Sequence, residues 1–168
     1  MRCLKLVVLM AGLWTGFSGV AKAQTAVYGE FSGSKLDKNS AWLFGPTIGL
    51  YHDNGYGLIG AGFDVRGSFL SRSGTSLDSV LVGGRVSLHP KVLPLKPYAE
   101  ALGGLGHYTA PNSSASNNFQ YQFLAGIDST LLPYLDWRVV EFSYGGLSVL
   151  NGTYNPKTIS TGIVFRLP

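Results

Sequence analysis

The sequence predicts an all-β fold: an eight-stranded antiparallel up-and-down transmembrane β-barrel, preceded by a cleavable signal peptide. Three observations predict it. The chain opens on an export-type segment, the remainder alternates apolar with small or polar residues at period two, and charge is scarce. Of 168 residues, 13% are charged and 45% are hydrophobic, whereas average soluble domains carry about 25% charged residues. Glycine occurs 23 times, about twice its usual share. The charge level excludes a coiled coil or an acidic disordered tail, and a single cysteine, Cys3, excludes a disulfide-stapled scaffold.

The export segment is read over residues 1–23. Arg2 and Lys5 make a positive start, Leu6 to Val20 is an uncharged apolar run, and Ala21-Lys22-Ala23 supplies the small-x-small pattern cut by a signal peptidase. The run is too short to span a membrane comfortably as a helix. The barrel domain is then 24–168. Three of the 13 basic residues and none of the nine acidic ones lie in the signal, so the mature excess is +1. That balance gives no argument for nucleic acid as a partner.

Alternation marks each strand. Ile59, Ala61, Phe63, Val65 and Phe69 fall on one face, and Gly60, Gly62, Asp64, Arg66 and Ser68 on the other. Val80, Val82, Val86 and Leu88 oppose Ser79, Gly83, Arg85 and Ser87, and Phe119, Tyr121, Phe123, Ala125 and Ile127 oppose Gln120, Gln122, Gly126 and Asp128. Ile159, Thr161, Ile163, Phe165 and Leu167 repeat the pattern against Thr158, Ser160, Gly162 and Arg166. Turn residues place the strands near 25–34, 42–52, 56–69, 77–89, 96–109, 118–131, 136–149 and 157–167. Asp53-Asn54-Gly55 reads as a tight hairpin turn. Lys91 to Pro94 and Leu132 to Leu135 are also short connections, whereas Ser34 to Ala41, Leu70 to Ser76, Ala110 to Asn117 and Asn151 to Pro156 read as longer polar loops at the other end.

Alternation alone does not say which face is inside; charge usage does. The polar face is mostly Gly, Ser, Thr and Gln with isolated mid-strand charges, which suits a narrow interior. The apolar face is long and uncharged, which suits lipid. A sheet in lipid must close so that every backbone N–H and C=O is paired. Trp42, Phe44, Phe69, Tyr108, Phe119 and Tyr121 near the long loops, and Tyr51, Tyr56, Tyr98, Tyr134, Trp137 and Phe165 near the short turns, read as two interfacial girdles. Eight strands leave an interior that side chains fill, so no open channel is expected. Parity points Asp64, Arg66, Arg85, Glu100, Asp128 and Glu141 inward, with Lys96 and Arg166 nearer the short turns. The same count sets Arg85 opposite Glu100 and Asp128 near Glu141. Isolated charges in a dry interior are costly, so these residues are expected to form one network that plugs the barrel and fixes its register.

The export signal, the eight alternating strands, the alternating short and long connections, and the ending Gly162-Ile163-Val164-Phe165-Arg166-Leu167 together resemble small bacterial outer-membrane barrels of the OmpA and OmpX type. The resemblance covers essentially all of 24–168. It implies location in the bacterial outer membrane, short turns in the periplasm and longer loops outside. It also implies contact with membrane lipid and lipopolysaccharide, and recognition of the C-terminal strand by the barrel assembly machinery. Members of that family usually finish on an aromatic residue; this chain finishes Phe165-Arg166-Leu167-Pro168.

No catalytic, cofactor-binding or metal-binding residues are expected. His52 and His89 flank short turns without a third ligand. His107 sits in the segment His107-Tyr108-Thr109-Ala110, which differs from the lipid-facing His-x-Ser-Asn segment of barrel lipid A deacylases. The reading is therefore a non-enzymatic barrel with a structural or surface-interaction role. A soluble lipocalin-like ligand carrier and a lipid A-modifying barrel enzyme are the alternatives. Lys35, Lys38, Arg72 and Lys157 lie in or near the outer loops, where anionic lipopolysaccharide phosphates are found.

Overall fold

Period-two alternation rich in Val, Phe, Tyr and Ile makes strands, and here it makes almost nothing else. The computed structural model describes residues 22–37, 40–90, 93–110, 113–149 and 152–167. Residues 1–21, most of the expected signal segment, lie outside them. The strands are β1 (Lys22–Lys35), β2 (Trp42–Tyr56), β3 (Ile59–Arg72), β4 (Thr75–Leu88), β5 (Leu95–Ala110), β6 (Ser113–Leu132), β7 (Leu135–Val149), β8 (Gly152–Tyr154) and β9 (Lys157–Arg166). Each pairs antiparallel with its neighbour in sequence from β1 to β7, and β9 pairs with both β7 and β1, which closes the cylinder.

Eight strands form the wall, because β8 and β9 are two pieces of one. Tyr154 opposes Leu147 and Lys157 opposes Tyr144, so both pieces keep the same register on β7. Pro156 lacks an N–H and interrupts the ladder, but its carbonyl still accepts from the Gly145 N–H at 3.0 Å.

The turns lie further out than the sequence suggested. Asp53-Asn54-Gly55 is strand, not turn: Tyr56 opposes Ile59, and the reversal falls at Gly57-Leu58, with Gly57 at φ 69°. The expected long loop over Leu70 to Ser76 is a two-residue turn in which Ser73 and Gly74 both take positive φ, 48° and 83°, the requirement of the hairpin turn that matches strand twist. The expected loop over Ala110 to Asn117 is likewise mostly strand, since β5 runs to Ala110 and β6 starts at Ser113. Continuous ladder pairing outweighs the local turn preference of Asn-Gly and of the Ser/Asn clusters, because each extra pair satisfies backbone groups at no new loop cost.

The apolar face points outward. Val80 is 61% exposed, Phe63 46% and Phe119 58%, while Asp64, Arg66, Arg85, Glu100, Asp128 and Glu141 are at most 5% exposed. Trp42, Phe44, Phe69, Phe119 and Tyr121 ring the rim far from the chain termini, and Tyr134, Trp137 and Phe165 ring the rim that carries them. These are called the distal and proximal rims below. Tyr51, Tyr98 and Tyr108 do not join either girdle. Tyr51 and Tyr98 are buried inside the cylinder, and Tyr108 packs on an interior leucine cluster.

That cluster was not foreseen. Leu36, Leu43, Leu70, Leu77 and Leu147 converge inside the distal mouth and cover it from within. Beneath them lies a hydroxyl layer, with Ser32 Oγ 2.9 Å from Thr47 Oγ1 and 2.8 Å from Ser160 Oγ, and Thr47 donating to Ser68 at 2.9 Å. The space left in this layer is about 20 Å³, the scale of a single water.

Candidate functional site

Below the hydroxyl layer three arginines hold the lumen. Adjacent β4 and β5 place Arg85 directly opposite Glu100, and the two form an ion pair. Arg85 also reaches Asp53 at 3.2 Å and Asp128 at 3.4 Å. Arg66, on β3, binds Asp64 at 3.2 Å, Glu100 at 2.8 Å and Glu141 at 2.7 Å. Arg138, on β7, pairs with Glu30, with Asp128 at 2.9 Å and with Glu141 at 3.3 Å. Each guanidinium thus spans three carboxylates, the use to which its five fixed donors are suited.

Tyrosines fill the space between the ions. The Tyr28 hydroxyl donates to Asp64 at 2.9 Å and the Tyr98 hydroxyl to Glu141 at 2.6 Å. The Arg85 guanidinium carbon lies 4.0 Å from the Tyr51 ring centre and 3.9 Å from that of Tyr98, and that of Arg138 lies 4.4 Å from the Tyr28 ring centre. Small residues make room for these rings: a Cβ at Gly126 would collide with the Tyr98 ring.

The six expected interior residues come together here. Lys96 and Arg166 do not; both bind Asp136 at 3.0 Å, nearer the proximal rim. Asp128 lies near Glu141, as expected, and the two carboxylates share Arg138, at 2.9 and 3.3 Å, but Asp128 is not the residue in register with Glu141. It opposes Arg138, while Gly126 opposes Glu141. The cause is a bulge between Arg138 and Glu141 on β7, which puts both on the inner face although they are three residues apart. Sequence reasoning missed Glu30, Asp53, Asp136 and Arg138. Asp53 was lost to a misplaced turn and Arg138 to the bulge. A usable signal existed: Trp137 and Phe142 both suit the lipid face, and their odd spacing is impossible at period two without an extra residue.

Among the described residues, seven interior carboxylates (Glu30, Asp53, Asp64, Glu100, Asp128, Asp136, Glu141) share five cations (Arg66, Arg85, Lys96, Arg138, Arg166). At the proximal mouth, burial holds the His89 imidazole below its ordinary pKa; Lys96 and Arg85 act in the same direction, and Asp53 and Asp136 oppose it.

Outside the barrel, His107 Nδ1 lies 2.7 Å from Asn117 Oδ1. Asp78 and Asn117 flank His107 in register on the two neighbouring strands. Among the described residues no group of three or more His, Cys, Asp or Glu is placed to hold a metal. The soluble ligand-carrier alternative needs an apolar interior and a wet exterior. Valines and phenylalanines cover the outside, and arginines and carboxylates occupy the lumen, so that alternative is withdrawn.

No family model and no curated protein matches the chain. Solved structures do. Neisserial surface protein A is similar at 14% identity and a TM-score of 0.61, over 89% of this chain and 100% of that one. Ail, the attachment invasion locus protein of Yersinia pestis, is similar at 12% identity and 0.54, over 86% and 97%. The N-terminal β-barrel domain of Pseudomonas aeruginosa OprF is similar at 17% identity and 0.54, over 87% and 100%. With its closed eight-stranded wall, greasy exterior and ionic lumen, the chain has the fold of the small eight-stranded outer-membrane β-barrels.

Proposed function

We propose that this chain is an integral protein of the bacterial outer membrane, exported by residues 1–23 and folded over 24–168, with a structural or surface-interaction role and no enzymatic activity. The observation that carries this reading is the direction of the side chains: a continuous apolar band faces out and charge faces in, an arrangement stable in lipid and unstable in water. The Arg66, Arg85 and Arg138 network plugs the lumen and fixes the register of the wall, so the barrel conducts no solutes. The proximal rim, which carries both ends of the barrel, faces the periplasm, and the C-terminal strand β9 is the segment presented to the assembly machinery. Membrane lipid and lipopolysaccharide surround the wall.

Electrophoretic mobility in detergent, with and without heating, tests the reading. A closed membrane barrel migrates compactly until heated, and the protein fractionates with outer membranes. Recovery as a soluble periplasmic protein refutes it. The His107–Asn117 contact, with Thr109 two residues along the same face, favours a lipid-modifying enzyme as the second reading. Fatty acid released from lipid A by the wild type and not by His107→Ala would establish that reading instead.

A further inference from the structure

One row of outward side chains at the distal rim is arranged against ordinary strand-pairing rules. Across four adjacent strands it reads Tyr144, Lys157, Lys35, Trp42, each opposite the next in register. Directly opposed side chains on antiparallel strands have Cβ atoms about 4.5–5.5 Å apart, and like charges placed so are destabilising. Neither lysine has an ion-pair partner among the described residues. Arg72 adds a third cation nearby, donating to the Trp42 carbonyl at 3.4 Å. Such an arrangement calls for an anion.

Two recesses meet at this row. The upper one, about 350 Å³, is lined by Lys35, Asp37, Tyr144, Asn155 and Lys157. The lower one, about 600 Å³, includes Trp42, Phe123, Phe142, Tyr144, Lys157 and Ile159. They share Tyr144 and Lys157, so a cationic and hydrogen-bonding head site opens directly onto an apolar wall. Among the described residues Asp37 is the only acid lining either recess, and Asn155, whose Oδ1 accepts from the Tyr144 hydroxyl at 3.3 Å, brings an amide NH2 that suits sugar hydroxyls.

We infer that this row binds a phosphorylated, multiply acylated glycolipid of the lipid A type, with a phosphate between Lys35 and Lys157 and acyl chains along Phe123, Phe142 and Ile159. The inference rests on the proposed outer-membrane location, which puts the distal rim at the outer leaflet. Charge complementarity selects a phosphorylated head over a neutral one, and the polar recess above the lysines selects a sugar head over a simple glycerophosphate.

The test is native mass spectrometry of the detergent-folded barrel with diphosphoryl lipid A, dephosphorylated lipid A and phosphatidylglycerol. The expected result is retention of diphosphoryl lipid A about tenfold above the other two. That preference should disappear in Lys35→Gln/Lys157→Gln and survive in Lys35→Arg/Lys157→Arg. Equal retention of all three lipids, or undiminished preference in the double Gln variant, overturns the inference. The heat-dependent mobility shift, read on every variant, separates the outcomes: a wild type without the shift refutes the membrane reading, whereas lost preference in a variant that keeps the shift is specific to this site.

Discussion

Replacing Arg138 with Met tests whether the interior charges hold one another. Arg138 is fully buried and pairs with Glu30, Asp128 and Glu141. Its three partners do not depend on it equally. Glu141 keeps Arg66 at 2.7 Å and the Tyr98 hydroxyl at 2.6 Å, and Asp128 keeps Arg85 at 3.4 Å. Among the described residues Glu30 has no other cation in its ion pairs. Because carboxylates already outnumber cations in the lumen, none is free to replace Arg138. Removing one partner of a buried pair costs about 3–5 kcal/mol, mostly through the charge left behind. Arg138→Met should therefore lower stability by about that amount, and Glu30→Gln in the same chain should restore part of it. The coupling energy of the double-mutant cycle should be at least about 1 kcal/mol. The assay is denaturant unfolding in lipid vesicles, followed by tryptophan fluorescence. A loss under about 1 kcal/mol for Arg138→Met, or strict additivity with Glu30→Gln, would refute the reasoning.

Other perturbations test other layers. Val82 lies mid-strand on the outer face and is 55% exposed, so Val82→Arg should cost about 2–4 kcal/mol in vesicles; an unchanged unfolding midpoint would mean that this face is not in lipid. Gly126→Val drives a side chain into the Tyr98 ring and should cost about 1–3 kcal/mol by overpacking, measured in the same way. His89 has a lowered pKa in the fold, so the unfolded chain takes up the proton first as pH falls. Stability should therefore drop as pH falls through the ordinary histidine value, about 6.5. His89→Asn should flatten the denaturation midpoint between pH 7.5 and 5.5, and an identical slope in both proteins would contradict this.

Much of the wall was legible because alternation is a local property. β3, β4 and most of β5 run without an extra residue, so counting by twos puts Asp64, Arg66, Arg85 and Glu100 on the face where they stand. Counting fails where a strand gains a residue. The bulge in β7 moved Arg138 inward, set it opposite Asp128, and removed from view the cation that binds Glu30. Local turn chemistry misled in a different way. Asn54-Gly55 is a good hairpin turn in isolation, but pairing continues past it to Tyr56 and Ile59, which makes Asp53 an interior carboxylate. The leucine cover at the distal mouth was hidden because its five members come from five strands or their ends, and each looks alone like an ordinary break in a polar alternation. Tyr51 and Tyr98 were read as membrane anchors because aromatic residues favour that position; the arginines need rings to stack on, and the glycine beside Tyr98 gives one of them room.

Cys3 is the only cysteine of the chain and precedes the barrel, so single cysteines can carry spin labels along one strand. Labels at positions 79 to 82 of β4, with the protein in lipid vesicles, measure side-chain direction directly through collision with oxygen, which concentrates in lipid, and with a water-soluble nickel complex. Positions 80 and 82 should be reached by oxygen and shielded from nickel, and positions 79 and 81 by neither. Access of the nickel complex to positions 80 and 82, or oxygen access that peaks at 79 and 81, would contradict a barrel that turns its valines to the membrane and its ions to its own axis.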